Sequence, residues 1–152
     1  MSAAETAYEQ AVRLLARREH SRRELARKLA ERGFDDAETE EALDRLVREG
    51  LQSDARFAEE YARARLGKGF GPRRVTAELA EYGVAVEHRH WAELDPEAER
   101  ARAAEALHKR FGPGAPADRK DWARRMRFLE GRGFAPELCR PLVGGADPDD
   151  LD

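Results

Sequence analysis

Three ten-residue strings decide the architecture: LARKLAERGF at residues 25–34, VTAELAEYGV at 75–84 and RMRFLEGRGF at 125–134. Written one under another, they put Gly33, Gly83 and Gly133 in one column, at steps of 50 residues. Leu29, Leu79 and Leu129 fill a second column, and the apolar Phe34, Val84 and Phe134 a third. A period of that length marks a repeated supersecondary unit, and the unit is helical. In the first copy Leu25 and Leu29 lie one turn apart on a buried face, Gly33 stands where a helix stops in a left-handed residue, and Phe34 folds back on the last turn.

Working outward, each copy reads as three short helices. Tyr8, Ala11, Val12 and Leu15 recur at three- and four-residue spacing and predict an opening helix. Ser21 followed by Glu24 is a capping box for the second. A third runs from Asp36 to Glu49 with Ala42, Leu43, Leu46 and Val47 inward, closed by Gly50. The next copy has Ser53 or Asp54 as cap and Phe57, Ala58, Tyr61 and Ala62 as its stripe. The connector GKGFGP at 67–72 then leads into a helix opened by Pro72, with Val75 and Leu79 buried. Trp91 and Leu94 serve its last helix. Asp95 and Pro96 open the third copy, in which the breaker GPGAPAD at 112–118 precedes a helix carrying Trp122, Met126 and Leu129. Pro136 and Pro141 shorten the segment after Phe134. The expected fold is all-α: an elongated, curved array of three tandem three-helix repeats at 1–50, 51–95 and 96–145, with an acidic tail at 146–152.

Composition agrees with a thin helical fold. Of 152 residues 39% are charged, Lys+Arg 28 against Asp+Glu 31, and 41% are hydrophobic. That is too charged for a thick core and too apolar for a disordered chain. Good helix formers dominate, so no sheet is expected. No run approaches the roughly 20 apolar residues that span a bilayer, and the first residues lack the order of a signal peptide, so a cytoplasmic monomer is expected, with no membrane partner. The single Cys139 excludes an internal disulfide, and no paired Cys and His suggest zinc.

The formal net charge is −3, but the charges are segregated. Residues 17–32 hold seven Arg or Lys against Glu19, Glu24 and Glu31, whereas 35–49 hold seven acids against Arg45 and Arg48. Arg63, Arg65, Lys68, Arg73 and Arg74 follow with no acid between them, and Arg119, Lys120, Arg124, Arg125, Arg127 and Arg132 make the middle helix of the third copy basic. Middle helices are thus positive, and stacked copies would align them as a stripe. Such a stripe suits a phosphate backbone, held loosely and without base recognition, or an acidic protein groove. The plain alternative is a set of solvated helix faces joined by local ion pairs.

Nothing points to catalysis or to a cofactor. His20, His88, His90 and His108 are scattered. Cys139 reads as a small core residue, and GKGFGP lacks the strand and the GK[ST] ending of a phosphate loop. Tyr8, Phe34, Phe57, Tyr61, Tyr82, Trp91 and Trp122 read as core rather than a base-stacking platform. No catalytic, cofactor-binding or metal residue is therefore expected. A helix-turn-helix regulator of transcription is a competing reading, disfavoured because the helix after Gly33 or Gly83, which would enter the major groove, is mostly acidic. A helical protein-binding scaffold is another.

HSRRELARKLAERG, EGLQSDARFAEEY and GFGPRRVTAEL before YGV together resemble the RecX family of bacterial RecA regulators, over residues 11–84, and the third repeat agrees in arrangement. The resemblance implies three-helix repeats that lodge in the groove of the RecA filament and restrain its DNA-dependent ATPase and strand exchange, within homologous recombination, DNA repair and the SOS response, with DNA binding in some members. Asp54, Phe57, Tyr61, Gly69, Gly71, Leu79 and Gly83 then look architectural. From charge, the residues expected to face the filament are Arg22, Arg23, Arg27 and Lys28, then Arg63, Arg65, Lys68, Arg73 and Arg74, then Arg124, Arg125 and Arg127. The loop at 112–118 and the late prolines depart from the family pattern.

Overall fold

The computed structural model describes residues 4–86 and 96–144. Within them the chain forms eight α-helices and no strand: α1 (Ala7–Arg17), α2 (Arg22–Glu31), α3 (Asp36–Arg48), α4 (Asp54–Gly67), α5 (Pro72–Glu81), α6 (Pro96–Phe111), α7 (Arg119–Arg132) and α8 (Pro136–Val143). No helix among the described residues is long and apolar enough to cross a membrane. Trp91, Leu94, Asp95, His88, His90 and the acidic tail lie outside the described residues.

The glycine column is realised as one repeated backbone motif. After α2, α5 and α7 the amides of Phe34, Val84 and Phe134 donate to the carbonyls of Leu29, Leu79 and Leu129, and those of Gly33, Gly83 and Gly133 donate to Ala30, Ala80 and Glu130, each at 3.0 Å. This is the paired bonding of a Schellman stop, and it needs a left-handed residue, which the glycines supply with φ of 92°, 82° and 106°. Helix starts are equally local. Thr6, Ser21, Asp35 and Asp118 accept from the amides of Glu9, Glu24, Glu38 and Asp121, each cap stabilising its helix by about 0.5–2 kcal/mol. Pro72, Pro96 and Pro136 open their helices, where a missing amide costs nothing.

The chain divides into two compact units, residues 1–61 with 79–85 and residues 62–78 with 86–152. In the first, Ala7, Ala11, Leu25, Leu29, Ala42, Leu43 and Leu46 form the core, with Tyr8, Val12, Leu15 and Phe34 packed against it. Val47, expected inward, is instead 45% exposed, and Thr39 is buried in its place on α3. The inward stripe of α3 is therefore 39, 42, 43 and 46. Phe57, Tyr61 and Tyr82 make a second cluster in this unit, with ring centroids 5.2–5.7 Å apart.

The second unit is built on Ala103, Ala106, Leu107, Met126, Leu129, Phe134, Cys139 and Val143, with Phe111, Trp122 and Phe128 against them. Its tightest joint is backbone on backbone. Gly71 N donates to Arg132 O at 2.7 Å and Arg73 N to Gly133 O at 3.0 Å, so the turn before α5 lies directly on the end of α7. A Cβ on Gly71 would sit 2.4 Å from Gly133 O, so only glycine fits.

Candidate functional site

In the first unit the basic helix α2 carries four of the expected contact residues, and they separate into two pairs. Arg22 reaches Glu40 and Asp44 of α3, each at 2.8 Å, and is tied to the acidic helix rather than offered to solvent. Lys28 Nζ lies 3.0 Å from His20 Nε2 and 3.8 Å from Glu24. Arg23 and Arg27, one turn apart, are exposed and form no ion pair within the described chain.

Behind α2 sits a buried polar node. His20, Ser21, Glu24 and Gln52 are each at most 4% exposed. Only half of the expected capping box forms. Ser21 Oγ accepts from the Glu24 amide at 3.1 Å, but the Glu24 carboxylate turns to Arg18, which holds both its oxygens. Burial alone would raise the Glu24 carboxyl, yet the bonds and charge of Arg18, with the charge of Lys28, hold it below the usual range. Burial pushes the His20 imidazole down, outweighing the bond to Arg18 O and the Glu24 carboxylate, which raise it, while the charges of Arg18 and Lys28 lower it further; the neutral ring accepts from Lys28. Ser53 caps α4, accepting from Arg56 N at 3.1 Å. Asp54 serves a different helix. It accepts from the Arg22 amide at 2.9 Å and from Gln52 at 3.0 Å, capping α2 from 32 residues away. These groups make a scaffold for α2.

In the second unit the basic run at 63–74 is organised by Phe70. The guanidiniums of Arg65, Arg74 and Arg132 lie over its ring at 3.8, 4.4 and 4.6 Å. Arg65 also grips Glu78 through Nε and Nη2, at 2.9 and 2.8 Å, and Arg74 reaches the same carboxylate and Gly131 O, each at 3.2 Å. Arg63, Lys68 and Arg73 stand exposed without an ion pair within the described chain.

The arginines of α7 divide in the same way. Arg125 is only 8% exposed, donates to Gly114 O at 2.9 Å and pairs with Asp121, so it anchors the breaker loop and has no face for a partner. Arg124 pairs with Asp121 at 3.0 Å, while Arg127 is exposed and without an ion pair. Six of the twelve residues selected from charge are thus engaged internally, and the six that present a free cation are Arg23, Arg27, Arg63, Lys68, Arg73 and Arg127.

The charge runs passed over one further feature of this unit, a cavity of about 330 Å³ lined by Gly67, Lys68, Gly69, Arg102, Glu105, Ala106, Lys109, Arg110, Phe128 and Arg132. The signal that could have found it is periodic rather than contiguous. Positions 102, 105, 106, 109 and 110 follow the three- and four-residue spacing of one helix face. Cys139 lies in the core, fully buried, its thiol pushed up to about 12 by burial and the nearby Glu130 and Glu99, so it is neither a thiolate nor a ligand.

Comparison with known proteins accords with this architecture. Family models for the first, second and third three-helix domains of RecX match residues 7–46, 53–89 and 97–143. The regulatory protein RecX of Halorhodospira halophila is 43% identical over 150 residues, spanning 98% of this chain and 93% of that protein. That of Chromohalobacter salexigens is 47% identical over 144 residues, 93% of each. The crystal structure of RecX from Lactobacillus salivarius superposes with a TM-score of 0.72 at 19% identity, covering 90% of this chain and 92% of that one, a likeness of fold. With all three domains matched in order and relatives above 40% identity along nearly their whole length, the chain belongs to the RecX family of regulatory proteins.

Proposed function

We propose that this chain binds RecA filaments, in the filament groove, and inhibits the recombinase and its ATPase, as a binding protein rather than an enzyme. The observation that carries the reading is the match of every three-helix domain to RecX, whose curated relatives are named regulatory proteins. The exposed cations suit it. Each can replace a counterion on a polyanionic partner without breaking an internal pair, and sequence-independent, salt-sensitive DNA binding would follow from the same property. We read the molecule as a cytoplasmic monomer of three repeats, with Arg23, Arg27, Arg63, Lys68, Arg73 and Arg127 as the contact residues. Arg22, Lys28, Arg65, Arg74, Arg124 and Arg125 support them.

The test is a RecA ATPase assay on single-stranded DNA with added protein. Inhibition is expected from the wild type. The triple substitution Arg63→Ala, Arg73→Ala and Arg127→Ala should raise the half-inhibitory concentration at least fivefold with an unchanged circular dichroism spectrum. Undiminished inhibition by the triple variant would remove these residues from the interface, and no inhibition by the wild type would remove the reading itself.

A further inference from the structure

We propose that the cavity of the second unit is a binding pocket for a phosphate group. Its walls bring Lys68, Arg102, Lys109, Arg110 and Arg132 around one space, with Glu105 as the sole lining carboxylate. None of these five cations forms an ion pair among the described residues. Unneutralised like charges gathered at one cavity repel one another, and an anion in the cavity removes that repulsion. Of the other arginines in this unit, Arg65, Arg74, Arg124 and Arg125 each have a carboxylate within 3.2 Å, whereas Arg63, Arg73 and Arg127 have none among the described residues and do not line the cavity.

Two details set the pocket apart from a merely basic surface. Arg102, a wall residue, has its Nε buried and without a hydrogen-bond partner. Arg132 is fixed in place by its stack on Phe70 at 4.6 Å and on Phe128 at 5.3 Å, which leaves its N–H groups, in the plane of the guanidinium, for a ligand. The volume, about 330 Å³, lies at the small end of the roughly 300–1,000 Å³ of ligand pockets. Phosphate suits it better than carboxylate, having three acceptor oxygens and up to two charges for several guanidiniums at once. The Phe128 ring in the wall is already engaged by Arg132 at 5.3 Å and by a near-perpendicular Phe111 ring at 5.5 Å. The phosphate can come from a small phosphate compound or from a nucleic-acid strand, and the chemistry of the pocket is the same for both.

The test uses the full chain without RecA, so its outcome is independent of the filament reading. Inorganic pyrophosphate is titrated by calorimetry, and a fluorescein-labelled oligothymidylate by anisotropy. One variant removes two cations, Arg102→Gln with Lys109→Gln. A second, Gly67→Glu, adds a carboxylate at a wall position where a new Cβ meets nothing within 4 Å, so the fold is retained. Arg17→Gln with Arg48→Gln, both exposed and outside the pocket, is the charge-matched control. At least one probe should bind the wild type and lose tenfold or more in affinity in both pocket variants, against less than twofold in the control. Loss for pyrophosphate alone assigns the pocket to small phosphates, loss for the oligonucleotide alone assigns it to a strand, and loss for both admits either source. Pocket variants that track the control for both probes, or a wild type that binds neither probe, would overturn the proposal.

Discussion

Replacing Gly33, Gly83 and Gly133 one at a time by alanine should destabilise the protein in that order, although the three glycines hold the same place in the repeat and nearly the same φ. A left-handed alanine costs about 1–2 kcal/mol by itself. At Gly33 nothing else is added, because a new Cβ there meets no atom within 4 Å. At Gly83 the Cβ would lie 2.9–3.2 Å from Nε, Cβ and Cδ of Arg23: the Nε and Cδ can swing aside, and the Cβ, fixed to the backbone at 3.0 Å, must give by a few tenths of an ångström, for about 1 kcal/mol in all. At Gly133 it would lie 2.5 Å from Arg74 N and Cβ and 2.8 Å from Gly71 O, where nothing can give but backbone. Relief requires parting the turn before α5 from the end of α7, which breaks the bonds from Gly71 to Arg132 and from Arg73 to Gly133. With each lost bond worth about 1–2 kcal/mol, more where the group is left buried without a partner, Gly133→Ala should cost about 3–6 kcal/mol in total. Urea denaturation followed by far-ultraviolet circular dichroism measures all three. Costs equal within about 0.5 kcal/mol would show that backbone strain alone sets the penalty and would refute the contact argument.

Cys139 should not react with a disulfide reagent at pH 8 in the folded chain and should react fully in denaturant, because its thiol is buried and pushed up to about 12; prompt reaction of native protein would contradict its placement. His20 is held below the ordinary histidine value of about 6.5, facing Arg18, Glu24 and Lys28, so the unfolded chain binds a proton that the folded chain refuses. Stability should therefore be fully present above that value and decline as pH falls through about 6.5 toward the lower folded value, and His20→Gln should flatten the decline; an unchanged slope would assign it to other groups. Arg65→Lys should cost about 1–2 kcal/mol, since an ammonium cannot grip Glu78 with two parallel bonds or stack on Phe70, whereas the exposed Arg63→Lys should stay within about 0.5 kcal/mol. Equal effects in denaturation would count against the structural role of Arg65.

Features that a few consecutive residues decide were legible in the sequence. Helix stops at Gly33, Gly83 and Gly133, starts at Ser21 and Pro72, and the pairs Leu25 with Leu29 and Met126 with Leu129 all depend on contacts within one turn. Legibility failed where distant parts of the chain choose partners. Whether Val47 or Thr39 faces inward depends on how α1 and α2 lie across α3, since both flank the 42, 43, 46 stripe. That Arg22 turns to Glu40 and Asp44, 18 and 22 residues away, results from helix packing rather than from any run of charge. Asp54 shows the same limit, since a residue at the start of α4 caps α2 instead. The basic face of α6 was missed for a different reason. Glu97, Glu99 and Glu105 dilute its composition, while the helical period gathers Arg102, Lys109 and Arg110 on one side.

A net charge of −3 is compatible with a polyanionic partner because charge acts over a limited range. At physiological ionic strength exposed charges are screened beyond about 8 Å, so a carboxylate offsets only the cations near it. In the first unit several cations have a carboxylate beside them: Arg22 has Glu40 and Asp44, Arg45 has Glu49, and Arg56 has Glu19. In the second, three guanidiniums share the ring of Phe70 while only Arg65 and Arg74 reach Glu78, and five cations line a cavity that contains one carboxylate. Phe70 makes that concentration tolerable, because the electron-rich face of an aromatic ring attracts guanidiniums without neutralising their charge. A carboxylate at the same place would bind the arginines and cancel them; a phenylalanine holds them in place and leaves their charge available to a partner.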